Sequence, residues 1–147
     1  MKIKFGILFS LILMLPAFGN DTSWHTDLAE AQKAAKKEGK PILMNFSGSD
    51  WCGWCIRLDK EVFSKDIFKD YAKKNLVLLT LDFPRKSPQA PELKKQNKGL
   101  AQKYKIQGFP TIIVVSAEGK ILLHTGYRKG GSAAYVDYLK NNIKKDS

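Results

Sequence analysis

The chain has few of the residues that build metal and cofactor sites. Its 147 residues include two cysteines and two histidines. Structural zinc takes four ligands, commonly two cysteine pairs or one pair with two histidines. His25 and His124 have a spacing that matches no finger, so no metal is expected, and no motif implies an organic cofactor. Acidic residues are also scarce, 14 against 25 Lys and Arg, for a formal net charge of +11. Such a surface attracts anionic partners. The basic residues are scattered as "KKEGK", "AKKN", "ELKKQNK" and "NNIKKDS", mostly on expected helix faces and ends. That distribution describes a solvated surface, and no nucleic acid is expected as partner. No internal repeat and no second domain is visible.

One long apolar run exists, at the N-terminus. In "MKIKFGILFSLILMLPAFGN", Lys2 and Lys4 precede an apolar stretch from Phe5 to Leu15, and Pro16 breaks it. Ala17 and Gly19 then place small residues where a signal peptidase reads them. The stretch is shorter than the roughly 18 to 20 residues of a spanning helix. Residues 1–19 are therefore expected to be a signal peptide cleaved after Gly19, leaving one domain over 20–147. Export places that domain in an oxidising compartment, the periplasm, where disulfides persist.

The remaining chain alternates helical and strand patterns. "DLAEAQKAAKKEGKP" reads as an amphipathic helix with Asp27 and Glu30 as a capping box and Gly39 and Pro41 as its end. "PILMNFSG" reads as a buried strand. "CIRLDKEVFS" continues at helical spacing, with Cys55, Leu58 and Val62 on one face. In "SKDIFKDYAKKN" Ser64 is the expected cap, with Ile67, Phe68 and Tyr71 inward. "LVLLTLDF" is a second strand, and the prolines of "PRKSPQAP" require an irregular loop. "ELKKQNKGLAQKY" is helical, with Leu93, Asn97, Leu100, Ala101 and Tyr104 on one side. "GFPTIIVVS" and "KILLHTG" form two strands around the turn "AEG", and a last helix is expected over about 132–144. Trp24 is expected to plug the core. This order gives an α/β fold with a central mixed sheet of about four strands and helices on both faces.

The two cysteines stand in "SGSDWCGWCIRL". As a passive staple the pair would close so short a loop that little unfolded-chain entropy is removed. As a redox pair it has a mechanism. Cys52 falls at the first turn of a helix, where unpaired amides and the helix dipole favour a thiolate. Cys55 lies one turn deeper. Cys52 can attack a substrate disulfide, and Cys55 can resolve the mixed disulfide. Trp51 and Trp54 supply apolar surface for a docking rim. Asp50, two residues before Cys52, is expected to disfavour a second negative charge there.

"DWCGWC" after the strand "ILMNF", followed later by "GFPT" before the strand "TIIVV", resembles the thioredoxin superfamily over nearly all of the chain beyond residue 20. "GSDWCGWC", "LDFP" and "GFPT" together are similar to exported bacterial thioredoxin-like proteins, and the 83–98 segment is longer than its counterpart in ordinary thioredoxin. The resemblance implies a thioredoxin fold and thiol–disulfide exchange on disulfide-containing envelope proteins. It implies that Cys52 and Cys55 form the redox-active disulfide. It also implies that Pro110 is a cis-proline against that disulfide, with Phe109 before it and Thr111 after it, shaping the substrate-binding groove. A membrane-embedded electron donor would recharge a reductase in this compartment. A chain with no room for a dimerisation module is expected to be a monomer. A disulfide-introducing oxidase and a non-catalytic binding or chaperone domain are the rival functions. One departure stands out: the buried aspartate of ordinary thioredoxins is matched here by Asn45, which cannot serve as a base. Asp50 or Asp59 is the candidate substitute. The Gly53-Trp54 dipeptide is neither the Gly-Pro of thioredoxin nor the His-containing pair of dedicated oxidants.

Overall fold

The computed structural model describes residues 23–144. The expected signal peptide lies outside the described residues. The elements follow in the order α1 (Leu28–Glu38), β1 (Ile42–Ser47), α2 (Gly53–Leu58), a π-helical segment (Asp59–Phe63), α3 (Asp66–Asn75), β2 (Val77–Asp82), α4 (Pro91–Lys103), β3 (Thr111–Val115), β4 (Ile121–Thr125) and α5 (Gly131–Asn142).

The four strands make one sheet in the order β2-β1-β3-β4. β1 pairs in parallel with β2 and antiparallel with β3, and β3 pairs antiparallel with β4. β1 is central, and both of its faces are covered, which explains its nearly continuous apolar sequence. Leu43 faces a cluster with Leu58, Val62, Phe63, Phe68, Ile112 and Tyr135. Ile42, Met44 and Phe46 face the other way, onto Ala31, Ala35, Leu79, Leu100 and Ile113. The chain therefore has the thioredoxin fold, with α1 and α4 on one face and α2, α3 and α5 on the other.

Local chemistry explains where the elements begin and end. The Asp27 side chain accepts the Glu30 backbone N–H at 2.9 Å and caps α1. Gly39, at φ 64°, closes it in the left-handed region. Ahead of α1, the His25 backbone bridges Leu78 and Thr80 on the outer edge of β2. This sets Trp24 against the core, with its ring 5.2 Å from that of Phe63.

Two expectations fail around α3. Ser64 does not cap it. The residue before α3 is Lys65, which makes no side-chain cap. The Ser64 N–H instead reaches back five residues to Asp59 O, and its hydroxyl donates to Lys60 O, closing the π-helical turn. Ile67 is 54% exposed, because the inward stripe is centred on Phe68 and Ala72, one residue and about 100° around the helix.

Candidate active site

β1 delivers the chain to the end of the sheet at Ser47, and a tight turn follows. The Gly48 carbonyl accepts the N–H groups of Trp51 at 3.3 Å and Cys52 at 2.9 Å. Cys52 is the N-cap of α2, in extended conformation. Its Sγ accepts the Cys55 backbone N–H at 3.2 Å, as a serine or aspartate oxygen would at this position. Cys52 and Cys55 are disulfide-bonded, with Cα atoms 5.2 Å apart. They are 6% and 5% exposed, so accessibility does not separate them. Their surroundings do: Cys52 caps the helix, whereas Cys55 faces inward and its Sγ accepts the Gly48 N–H at 3.5 Å.

The residues before Cys52 are tied to the segment after β2. Ser49 gives its N–H and hydroxyl to the two oxygens of Asp82, at 2.9 and 2.6 Å. The Asp50 carboxylate accepts the N–H groups of Arg85, Lys86 and Ser87 at 2.8 to 2.9 Å and the Ser87 hydroxyl at 3.1 Å. These bonds, led by the Arg85 amide, hold the Asp50 carboxyl down at about 2. Asp50 is thereby kept ionised, with backbone dipoles around its charge. The Trp51 indole N–H donates to Phe83 O at 2.7 Å, and the Arg85 guanidinium carbon lies 3.5 Å from the centre of the Trp51 ring. Asn97 is buried in α4 and, with Gln89, donates to Asp82 O, anchoring the base of the loop. Residues 83–87 thus border Asp50 and Trp51, immediately before the cysteine pair.

The residues after Cys52 are held differently. Trp54 is 52% exposed, with its ring 5.0 Å from that of Tyr127. Arg57 lies over both rings and donates to Glu61 at 2.6 Å. Glu61 also accepts the Tyr127 hydroxyl at 2.6 Å. The Tyr127 hydrogen bond, then that of Arg57, lowers the Glu61 carboxyl, while the bond to Glu61 raises the Tyr127 phenol. Phe83 follows β2 and Tyr127 follows β4, on opposite edges of the sheet. Trp51 therefore packs toward the β2 edge and Trp54 toward the β4 edge.

Phe109 joins the Trp51 side, with its ring 5.8 Å from Trp51 and 5.1 Å from Phe83. The Phe109–Pro110 peptide bond is cis. A Cβ added at Gly126 would lie 3.1 Å from the Pro110 carbonyl oxygen, so the loop after β4 runs close over this segment.

Beneath Cys55 lies a cavity of about 410 Å³, lined by Trp24, Asn45, Ser47, Cys55, Asp59 and Thr80 among others. Asn45 Oδ1 is buried there without a hydrogen-bond partner. Of the two candidate substitute acids, Asp59 reaches this cavity, whereas Asp50 is turned to the 85–87 loop. The sequence reading missed Arg85, Arg57, Glu61 and Tyr127. Tyr127 alone carries a signal, an aromatic in the glycine-flanked loop "TGYRKGG".

The model of the thioredoxin-like domain family matches residues 28–140. The disulfide bond reductase DsbH of Chlamydia pneumoniae is 38% identical over 129 residues, which are 88% of this chain and 77% of that protein. The thioredoxin-related protein DsbJ of Chlamydia pneumoniae is 33% identical over 131 residues, 86% of this chain but 38% of the relative. A solved structure of a DsbH oxidoreductase superposes with a TM-score of 0.79 at 39% identity, over 82% of this chain and 83% of the other. The oxidised C-terminal domain of Neisseria meningitidis DsbD shares the fold, with a TM-score of 0.59 at 17% identity over 82% of this chain and 99% of the other. With its cysteines disulfide-bonded at the start of α2, the chain belongs to the thioredoxin-like family and is a thiol–disulfide oxidoreductase of the DsbH and DsbJ kind.

Proposed function

We propose that this protein is an exported reductase of disulfides in envelope proteins, with Cys52 as nucleophile and Cys55 as resolving thiol. The observation that carries the assignment of roles is the hydrogen bond from the Cys55 N–H to Cys52 Sγ. A sulfur that caps a helix is the one whose anion the helix stabilises. In the reduced protein, the Cys52 thiolate attacks a substrate disulfide, forming one S–S bond and releasing one substrate thiolate. The Cys55 thiolate then attacks Cys52 Sγ, and the second substrate thiolate leaves. Two electrons pass to the substrate, and the Cys52–Cys55 disulfide remains. An external dithiol restores it, which in the cell is the task of a membrane-embedded electron donor. Pro110, Phe109, Trp51 and Trp54 form the walls between which the substrate chain lies.

The direction of electron flow rests on what surrounds Cys52. No lysine, arginine or histidine stands between the cysteines, and Gly53-Trp54 adds no cation. The helix end favours the thiolate through its unpaired amides, and the dipeptide adds no side-chain cation to that effect. The name of the DsbH relative, a disulfide bond reductase, agrees. Export rests on residues 1–19, read as a signal peptide cleaved after Gly19. Among the described residues no helix is long and apolar enough to cross a membrane. The 20–147 domain would act as a monomer in the periplasm.

Two measurements test this reading. Insulin reduction with dithiothreitol should be accelerated, which a pure binding domain would not do. Equilibration with glutathione buffers should give a potential near the reference value for thioredoxin, about −270 mV, and a value above about −180 mV would make the protein an oxidase.

A further inference from the structure

The two sides of the dithiol carry different charge. Toward β2, the Arg85 guanidinium lies over Trp51 and pairs with no carboxylate among the described residues. Its backbone and those of Lys86 and Ser87 are held by Asp50, which fixes the point from which the side chain reaches the Trp51 ring; the stacking on that ring is what holds the cation itself. Asp50 and Asp82 are the acids on this side; four donors occupy the Asp50 oxygens, and Ser49 occupies those of Asp82. The exposed side chains of Arg85 and Lys86 form no ion pair among the described residues. Toward β4 the guanidinium beside the tryptophan is paired, and Arg128 of the loop after β4 lies over the Tyr138 ring. Arg57 is matched by Glu61, and Trp54 offers a half-exposed apolar face.

We infer that the site selects polypeptide disulfides whose cysteine has an acidic residue on the flank toward Arg85 and an apolar residue on the flank toward Trp54. This rests on the exchange reaction proposed above. The physical basis is charge complementarity at a fixed position. An arginine held over an aromatic ring, its backbone anchored, loses little freedom when a carboxylate meets it. On the other flank, a side chain that covers Trp54 removes apolar surface from water. The excess of basic residues, 23 Lys and Arg against 14 Asp and Glu over 20–147, draws acidic chains to the protein, but Arg85 is what ties the preference to the reacting cysteine.

The test uses synthetic peptide disulfides with Asp, Lys or Ser on one flank of the cysteine and Leu on the other, and the mirrored set. Each is reduced by the protein with dithiothreitol as the recycling reductant. Rates are divided by those with dithiothreitol alone, which removes intrinsic differences between the peptides. At low salt, one of the two sets should show Asp favoured over Lys by about tenfold, falling below about twofold in 0.5 M salt. Arg85→Gln should reduce that ratio to about twofold or less, and Arg85→Lys should keep part of it. Lys144→Gln, which removes the same charge at the far end of the sheet, should leave the ratio unaltered. Equal rates for Asp and Lys in both sets, or a ratio insensitive to Arg85→Gln, would overturn the inference while reduction of the Ser peptides leaves the exchange reaction standing. Failure to reduce any peptide would overturn the exchange reaction, and the inference with it.

Discussion

Residues 49–51 and residues 54–61 flank the same disulfide but are fixed by different kinds of bond. Ser49 and Asp50 bind the segment that follows β2 through its amides and through Asp82, and Trp51 binds a carbonyl of that segment, more than thirty positions away in sequence. Trp54, Arg57 and Glu61 bind each other within one helix, and only Tyr127 comes from elsewhere. Backbone partners have no rotamers to lose, so the first flank is held to one geometry. The second flank is a set of exposed side chains that can rearrange at little cost. One site thus has a stiff wall and an adaptable one.

The dithiol between the walls is the largest lever on this contrast. Cys52→Ser should abolish reduction and trap nothing, whereas Cys55→Ser should accumulate mixed disulfides with client proteins on non-reducing gels. Equal trapping by both variants would reverse the roles.

Gly48→Ala should break the stiff wall. A Cβ there would overlap the Trp51 indole, so the ring must shift and its bond to Phe83 O must weaken. Overpacking of this kind destabilises by about 1–3 kcal/mol, which urea unfolding would register, with an altered tryptophan emission in the folded state. An unchanged emission would mean that the wall is softer than its contacts suggest.

The Asp50 clamp should respond to acid late. Its folded carboxyl sits at about 2, below its ordinary value of 3.8. A depressed carboxylate adds stability that is complete above the unfolded value and is lost as pH falls through the folded one. The amides of Arg85, Lys86 and Ser87 should therefore keep their NMR shifts down to about pH 4 and move between there and about pH 2. Asp50→Ala should speed hydrogen exchange of those three amides by about tenfold or more at neutral pH, while amides of α2 beyond the cysteines change little.

Glu61→Gln should have the smallest effect, since it disturbs the adaptable wall. The melting temperature should stay within about 2 °C of wild type. The Tyr127 phenol, raised by its bond to Glu61, should titrate at lower pH in the variant, visible as an earlier step in the ultraviolet titration.

The elements of the fold were legible because apolar spacing, caps and prolines all agreed. The mixture of parallel and antiparallel strands follows from the order of the elements, and the Gly39 stop from helix-end chemistry; which strands flank β1 does not. Two failures came from register. A π-helical turn uses one more residue than the α-helix that spacing assumes, so Ser64 closes that turn instead of opening the next helix. Ile67 then falls one residue outside the buried stripe. At the site, the cysteine pair and the Phe109-Pro110 segment were legible from their motifs. The placement of Arg85, the capture of the Asp50 carboxylate by the 85–87 amides and the Glu61–Tyr127 bond were not, because each depends on which long-range segment arrives beside it. Asn97 illustrates the same limit: it was assigned to the inward face of α4, but its work as an anchor for Asp82 O is visible only once the chain is folded.

The amide of Asn45 sets a boundary on how the protein can respond to its surroundings. It has no proton to give or take, so the strand beneath Cys55 presents the same charge at every acidity the fold survives. An acid at that position would tie the second half of the exchange to the proton concentration of the compartment. With asparagine, any such dependence arises from the thiols and from groups that water reaches.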